Sequence, residues 1–326
     1  KITKQDKGLG ILPVTHMNGL VTTLIAPIIS DSNVCFYDRS LFTYVEFIQF
    51  SNTNKCSWFS ATPYHLKRLL ETFEEDKKKY YGYRFIRCAS AFLDKKTQLE
   101  IRKKLDCPIY NSMGMTEAAG QICTEKPGIK CEGNVGFPIN IEVKVVNGNA
   151  INDEGAGELL YKGDTVIKKY LFKDNGAHNI DEWLFSGDDG YLHKDGSVTI
   201  KGRLKNTINF CGIKFNAEEI EQFLSQEYSL ETAVIPLQSK KYGQQINIYI
   251  ESSEQAMNGE EINEQLVKYF GYRELVKSIY RTKQLKRFHN RKLDKIRIAE
   301  NNDNECLYEN TYITKLTGRG SQDKAI

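Results

Sequence analysis

The stretch Met113-Gly114-Met115-Thr116-Glu117 follows an apolar run at 107–111 that reads as a strand, and it precedes a run of small residues. Alone, a Gly-x-Thr-Glu element is equally a turn and a helix cap. Its setting gives it weight. Upstream, short apolar runs at 9–14, 33–37, 56–60 and 85–89 read as strands. They alternate with helical patterns at 17–29, 41–50, 63–73 and 95–104. The helix at 17–29 reads as buried and ended near Pro27, and Pro63 stands at the first turn of its helix. Strands and helices alternating at this spacing imply a wound, largely parallel sheet. Downstream of Gly128 the period changes. Residues 139–146 alternate apolar and polar. Short strands at 157–161, 190–193 and 197–201 are separated by turns such as Lys194-Asp195-Gly196. This zone reads as antiparallel β, closing into a small barrel. From Gly202 a third zone starts. Asn216 is placed to cap a helix running to Leu224, with Glu219 as capping-box partner. Strands at 232–237 and 245–251 and a helix at 260–270 complete a small α+β unit. The tail from 301 to 326 is polar and is expected to fray.

A chain of 326 residues is long enough for two or three domains. Lys plus Arg is 45 and Asp plus Glu is 42, a net charge of +3, which argues against a polyanion-binding protein. Apolar run 20–29 is interrupted by Thr22, Thr23 and Pro27, so no membrane-spanning helix is expected. Residues 1–7 are polar, without a signal core. Residue 1 is Lys, so the natural start is expected upstream. Eight cysteines occur without any Cys-x-x-Cys pair. Reduced thiols in a cytoplasmic protein are the expectation, with neither disulfide framework nor zinc site.

An ordered series of motifs surrounds the opening stretch. Leu12-Pro13-x-x-His16-x-x-Gly19 and Ala89-Ser90-Ala91-Phe92-Leu93 lie before it. Gly187-Asp188, Gly202-Arg203-Leu204-Lys205, Gly212, Glu218-Glu219-Ile220-Glu221 and Asn290-Arg291-Lys292-Leu293-Asp294-Lys295 lie after it. This series resembles the AMP-forming acyl-CoA synthetases, the adenylate-forming ligases. The resemblance runs to about Arg297.

The resemblance implies a partial wound parallel α/β subdomain (1–128) and a β-rich part (129–204) of a large AMP-binding domain. A mobile C-terminal α+β domain would follow at 205–300. It implies a ligase that activates a small carboxylic acid as an acyl-adenylate with ATP and passes the acyl group to CoA, with AMP leaving. A carrier protein is the less favoured acceptor. By the same resemblance, Asp188 holds the ribose hydroxyls, a task suited to two acceptor oxygens. Arg203 is the cation near ribose and phosphate. Glu117 organises magnesium, which takes hard oxygen ligands. Thr116 donates to the α-phosphate, and Lys292 neutralises charge as the adenylate forms. Ala89, Ser90 and Ala91 lie along the adenine, and Met113 covers it with Gly114 beside. His16 stands near the acyl and thiol tunnel, whose wall also draws on Met17 and Met115. Lys205 is the hinge, and Gly212 lets a pantetheine arm pass.

The sequence departs from the family pattern at four places. The phosphate loop ending Pro-Lys-Gly, expected before residue 12, is absent, so the chain reads as an N-terminally truncated, C-terminal portion. It would lack a pyrophosphate cradle. Met113 replaces the usual aromatic, Arg291 the usual glycine before Lys292, and Cys211 a frequent lysine. The cation-rich segment 281–297 reads as the solvated rim of the mobile loop, a CoA phosphate contact or a nucleic-acid patch, in that order. The rival function is a non-catalytic module that holds AMP or docks to a chain supplying the missing segment. In either case the apolar residues of 9–14, 21–29 and 34–37 would be left uncovered.

Overall fold

A computed structural model describes residues 2–37, 44–75, 82–129, 134–170, 179–252, 258–288 and 292–310. The chain forms two compact units, 1–204 and 205–326. Residues 41–43 of the expected helix, Cys131, and Asn290 and Arg291 of the last motif lie outside the described residues.

In the first unit, β1 (Lys7–Gly10) leads into a helical run of α1 (Met17–Gly19), a π-helical stretch at Leu20–Ile25 and α2 (Ala26–Ile29). Then follow β2 (Asn33–Phe36), α3 (Tyr44–Thr53), β3 (Trp58–Ala61), α4 (Pro63–Glu75), β4 (Phe85–Cys88), α5 (Lys95–Leu105) and β5 (Ile109–Met113). Short strands β6 (Cys123–Thr124) and β7 (Phe137–Pro138) close the series. The sheet order is β2-β1-β3-β4-β5-β6-β7. Its first five strands pair in parallel and the last two antiparallel. β7 belongs to this sheet, so the α/β part reaches past the boundary expected at 128.

Strand register fixes which residues share a face. Ile86, Cys88 and Ile109 turn to the main core, which they share with Leu9, Phe59, Leu66 and Ile101. Trp58, Ser60, Phe85, Arg87 and Tyr110 occupy cross-strand positions of the other face. There Trp58 stacks on Phe85 with centroids 5.6 Å apart. Asp94 caps α5, its carboxylate accepting from the Thr97 N–H at 2.8 Å.

Two expectations about this half are corrected. β1 sits earlier than 9–14, since only Lys7–Gly10 finds partner strands. The helical run ends at Ile29, just past Pro27, as the pattern puts it, but it is not buried throughout: Ile28 is 69% and Ile29 80% exposed.

The β-rich part comprises β8 (Glu142–Asn147), β9 (Ala150–Asn152), β10 (Gly155–Lys162), β11 (Asn179–Ile180), β12 (Trp183–Leu192) and β13 (Val198–Arg203). Among the described residues the expected barrel does not close. The strands form an open sheet ordered β11-β12-β10-β8-β9, with β13 on β12.

The second unit holds β14 (Thr207–Phe210), β15 (Ile213–Asn216), α6 (Ala217–Tyr228), β16 (Glu231–Ser239), β17 (Gly243–Glu251), α7 (Gly259–Phe270), β18 (Val276–Thr282), α8 (Lys295–Ala299) and β19 (Glu305–Glu309). Its sheet runs β15-β14-β17-β18-β19, with β16 on β17. Asn216 stands at the start of α6 but makes no side-chain cap, so the capping box is not formed. Its Oδ1 accepts from Thr207 Oγ1 at 3.3 Å instead. The tail does not fray at once after Glu300: Glu305–Glu309 pairs with β18.

Candidate active site

Asp188 and Arg203 are cross-strand partners on β12 and β13. Arg203 Nε lies 2.8 Å from Asp188 Oδ1, and Arg203 NH1 donates to the Ser186 carbonyl at 2.8 Å. Asp188 is 3% exposed. The turn that aims it depends on Gly187, whose φ of +71° is a left-handed conformation costly for a side chain-bearing residue. The Asp188 N–H donates to Ser186 Oγ at 2.9 Å, and that hydroxyl donates to the Leu159 carbonyl. Tyr161 is buried beside them. Burial raises its phenol well above the usual value, with the Asp188 charge adding to the rise. Its hydroxyl reaches Met113 Sδ at 4.0 Å.

Met113 ends β5, and the Gly114 loop leads into a single 3₁₀ turn at Thr116–Ala118. A Cβ on Gly114 would stand 2.1 Å from the Gly120 carbonyl oxygen, so this position admits only glycine without rearrangement. Thr116 is exposed. Glu117 Oε1 accepts from the Tyr170 hydroxyl at 2.8 Å, and the Ile167 N–H donates to the Glu117 carbonyl. Burial, followed by this carboxylate, raises the Tyr170 phenol. Among the described residues no group of three or more His, Cys, Asp or Glu side chains is placed to hold a metal ion.

His16 caps α1, its Nδ1 accepting from the Asn18 N–H at 3.3 Å. A neutral ring then carries its proton on Nε2. Asn18 Nδ2 donates to Ser90 Oγ at 3.0 Å. Ser90 has φ +82°, a strained conformation of the kind that gathers at functional sites; Ala89 is buried and Ala91 exposed. Arg87 donates from NH1 to Asn18 Oδ1 at 2.7 Å and to Ser60 Oγ at 3.2 Å. Its Nε and NH2 both donate to Gln121 Oε1, at 3.1 and 2.6 Å. Burial pulls the Arg87 pKa down to about 10. This network connects the His16, Ser90 and Gly114–Gly120 segments. Arg87, Asn18, Gln121, Ser186, Tyr161 and Tyr170 were not singled out from the sequence. A charged residue inside the apolar run 85–89 was the available signal for Arg87.

The second unit carries the remaining residues. Lys205 lies in the 3₁₀ turn Leu204–Asn206. Gly212 occupies the β14–β15 turn with φ +84°. Lys292 is exposed, and its carbonyl accepts from the Phe288 N–H at 2.9 Å. Lys295, three residues on, pairs with Glu221 at 2.8 Å.

Residues 1–171 match the AMP-binding enzyme family. The chain is 31% identical to the sulfoacetate–CoA ligase of Cupriavidus necator over 77% of its length, and over 50% of that protein. It is 26% identical to the oxalate–CoA ligase of Saccharomyces cerevisiae, with 92% of this chain and 56% of that protein covered. Among solved structures it resembles the o-succinylbenzoate CoA synthetase of Bacillus subtilis in complex with its acyl-adenylate intermediate. The TM-score is 0.81 at 25% identity, over 93% of this chain and 63% of that one. The adenylate-forming fold and its paired site strands thus stand beside a family match over more than half the chain. The chain belongs to the AMP-binding enzyme family. It spans about half the length of these relatives.

Proposed function

We propose that the chain is a part, unable to form the adenylate by itself, of an AMP-forming acid–thiol ligase that acts on a small carboxylic acid and CoA. Sulfoacetate and oxalate, the acids for which two relatives are named, are small carboxylic acids. In the first half-reaction a carboxylate oxygen bonds to the α-phosphorus of ATP as the bond to pyrophosphate breaks. In the second, the thiol sulfur bonds to the acyl carbon, its proton passes to solvent, and AMP leaves with the C–O electron pair.

The observation that carries this reading is the buried Asp188 carboxylate paired with the half-exposed Arg203 behind Gly187. A carboxylate is suited to vicinal hydroxyls, and an adjoining guanidinium to the phosphate. In this reading Met113 and the Ala89–Ala91 segment flank the base, and Thr116 donates to the α-phosphate. Glu117, held by Tyr170, is the carboxylate available to magnesium, whose other ligands would be phosphate oxygens and water. The bound ion would spread the negative charge of the triphosphate. His16 borders the acyl group. Lys292 neutralises the charge that gathers on carboxylate and phosphate. Lys205 stands at the boundary of the two units and serves as the hinge, and the Gly212 turn serves the pantetheine arm. We place the protein in the cytoplasm. The seven described cysteines are free thiols, and burial raises Cys107 and Cys123 to about 12, which keeps them protonated.

The test is AMP binding to the 326-residue chain by calorimetry. Asp188→Ala removes a charge-assisted contact worth about 1.5–3 kcal/mol, so affinity should drop roughly 10- to 150-fold. Equal binding by wild type and variant would sink the nucleotide assignment.

A further inference from the structure

Arg87 sits near the carboxyl end of β4, in a sheet whose parallel strands run β2-β1-β3-β4-β5. Ligands of such sheets collect beyond the carboxyl ends of the strands. The next residues in the chain are Ala89–Ala91. Through Asn18 and Gln121 the Arg87 guanidinium is tied to the segments that carry His16, Ser90 and Gly114. On the ligase reading the His16 and Gly114 segments border the acid's acyl portion while the Ala89–Ala91 segment flanks the base, and this inference rests on that reading.

The partners of Arg87 are unusual among the described arginines of the first unit. Among the described arginines of the first unit, Arg68, Arg84, Arg102 and Arg203 each pair with a carboxylate. Arg87 has none among the described residues, and its four hydrogen bonds end on neutral oxygens of Asn18, Ser60 and Gln121. The contrast with Arg84 is direct. Arg84 turns Nε and NH2 to the Asp6 carboxylate, at 2.9 and 2.6 Å. Arg87 turns the same two nitrogens to the single amide oxygen of Gln121. An amide therefore stands where an acidic group stands on Arg84. A guanidinium has five N–H donors, so four bonds leave one over. A half-buried cation without a counter-charge incurs part of its desolvation cost, and burial pulls its pKa down to about 10. Supplying an anion would reverse that cost.

We propose that Arg87 recognises a second anionic group on the acid, so that the substrate is a short dicarboxylic or sulfocarboxylic acid. The far carboxylate or sulfonate takes the remaining N–H and displaces Gln121 from the Nε–NH2 edge. Ser60 and Asn18 keep NH1 in place. Arg87 is thus a specificity-determining residue, separate from the Asp188–Arg203 pair that meets the nucleotide.

The probes are sulfamoyl-adenosine conjugates, stable analogues of acyl-adenylates, titrated into the 326-residue chain by calorimetry. Succinyl and sulfoacetyl conjugates carry the second anion; butyryl and propionyl conjugates do not. Wild type should bind the first pair at least tenfold more tightly than the second. Gln121→Glu places a fixed carboxylate on Arg87 and should bring that ratio to within threefold of one, with AMP affinity unchanged. Arg87→Gln should do the same, and Gln121→Glu decides the matter if Arg87→Gln does not fold. Arg87→Lys, which keeps the charge but loses the fork, should retain part of the preference. A wild-type ratio near one, or a preference that survives Gln121→Glu, overturns the assignment of Arg87. Should AMP bind in an Asp188-dependent way while the ratio is one, this inference falls and the ligase reading stands. Should neither AMP nor any conjugate bind, the ligase reading fails and takes this inference with it.

Discussion

Asp6 gathers five hydrogen bonds onto one carboxylate: two from Arg84, two from Thr3 and one from Ser57. Burial alone would push its pKa up. The Arg84 guanidinium, the Thr3 N–H, the Ser57 hydroxyl and the Thr3 hydroxyl outweigh it and hold the carboxyl well below the usual range. The sign of the pH effect follows. A depressed folded pKa contributes stability that is present above the unfolded value, about 3.9, and is lost as pH falls below it. Asp6→Asn should therefore lower stability at pH 7 by about 1–3 kcal/mol. It should also flatten the acid limb of a urea-midpoint profile between about pH 4 and pH 2. A variant with an unchanged acid limb would show that Asp6 is not the group responsible. At this scale the motif series singled out Asp188 and Arg203 together, and the fold makes them cross-strand partners. The contacts of Arg87 and Tyr170 were not legible, because they depend on which distant oxygen each meets.

The β14–β15 turn shows the same division at the level of elements. Phe210 and Ile213 pair across a two-residue turn, Cys211-Gly212, with φ +52° and +84°. Positive φ at both positions favours Asn-Gly, since asparagine tolerates the left-handed region better than cysteine. Cys211→Asn should stabilise the second unit by about 0.5–1 kcal/mol, read as a rise in its urea midpoint at constant slope. A fall in midpoint would mean that the Cys211 side chain contributes something the turn geometry does not reveal. Element type along the chain was readable from period: the helices at α4, α5 and α7 and the strands at β3, β4 and β17 fall where the patterns put them. Ends were less readable. β1 stops at Gly10 because its partners do, and β19 exists because β18 offers it an edge.

At the scale of the molecule, each unit has its own core. In the second unit Ile208, Phe210, Ile220, Leu224, Ile246, Ile248 and Ile279 are buried between one sheet and α6 and α7. A unit with its own core and sheet satisfies the conditions for folding alone. Residues 205–326 expressed by themselves should show a cooperative thermal transition by far-ultraviolet circular dichroism. A gradual melt would mean that this core depends on the first unit. In the first unit Val14, Ile28, Ile29 and Phe36 are exposed at 42%, 69%, 80% and 53%, whereas Leu9, Ile11 and Leu12 are buried. The apolar surface expected over 9–14, 21–29 and 34–37 is therefore limited to part of those segments.

The sequence by itself determined the α/β alternation, the change to antiparallel β and the family. Each of these is carried by local period or by residue types in fixed order along the chain. Tertiary structure decided the rest. Whether β-strands close a barrel depends on pairing between distant edges, and here β11 and β9 remain at opposite ends of an open sheet. Whether Asn216 caps α6 depends on Thr207 across a hairpin. Arg87 takes its neutral partners from positions 18, 60 and 121, which only folding brings together. Charge compensation is a property of neighbours in space, and a linear chain does not reveal which neighbours those are.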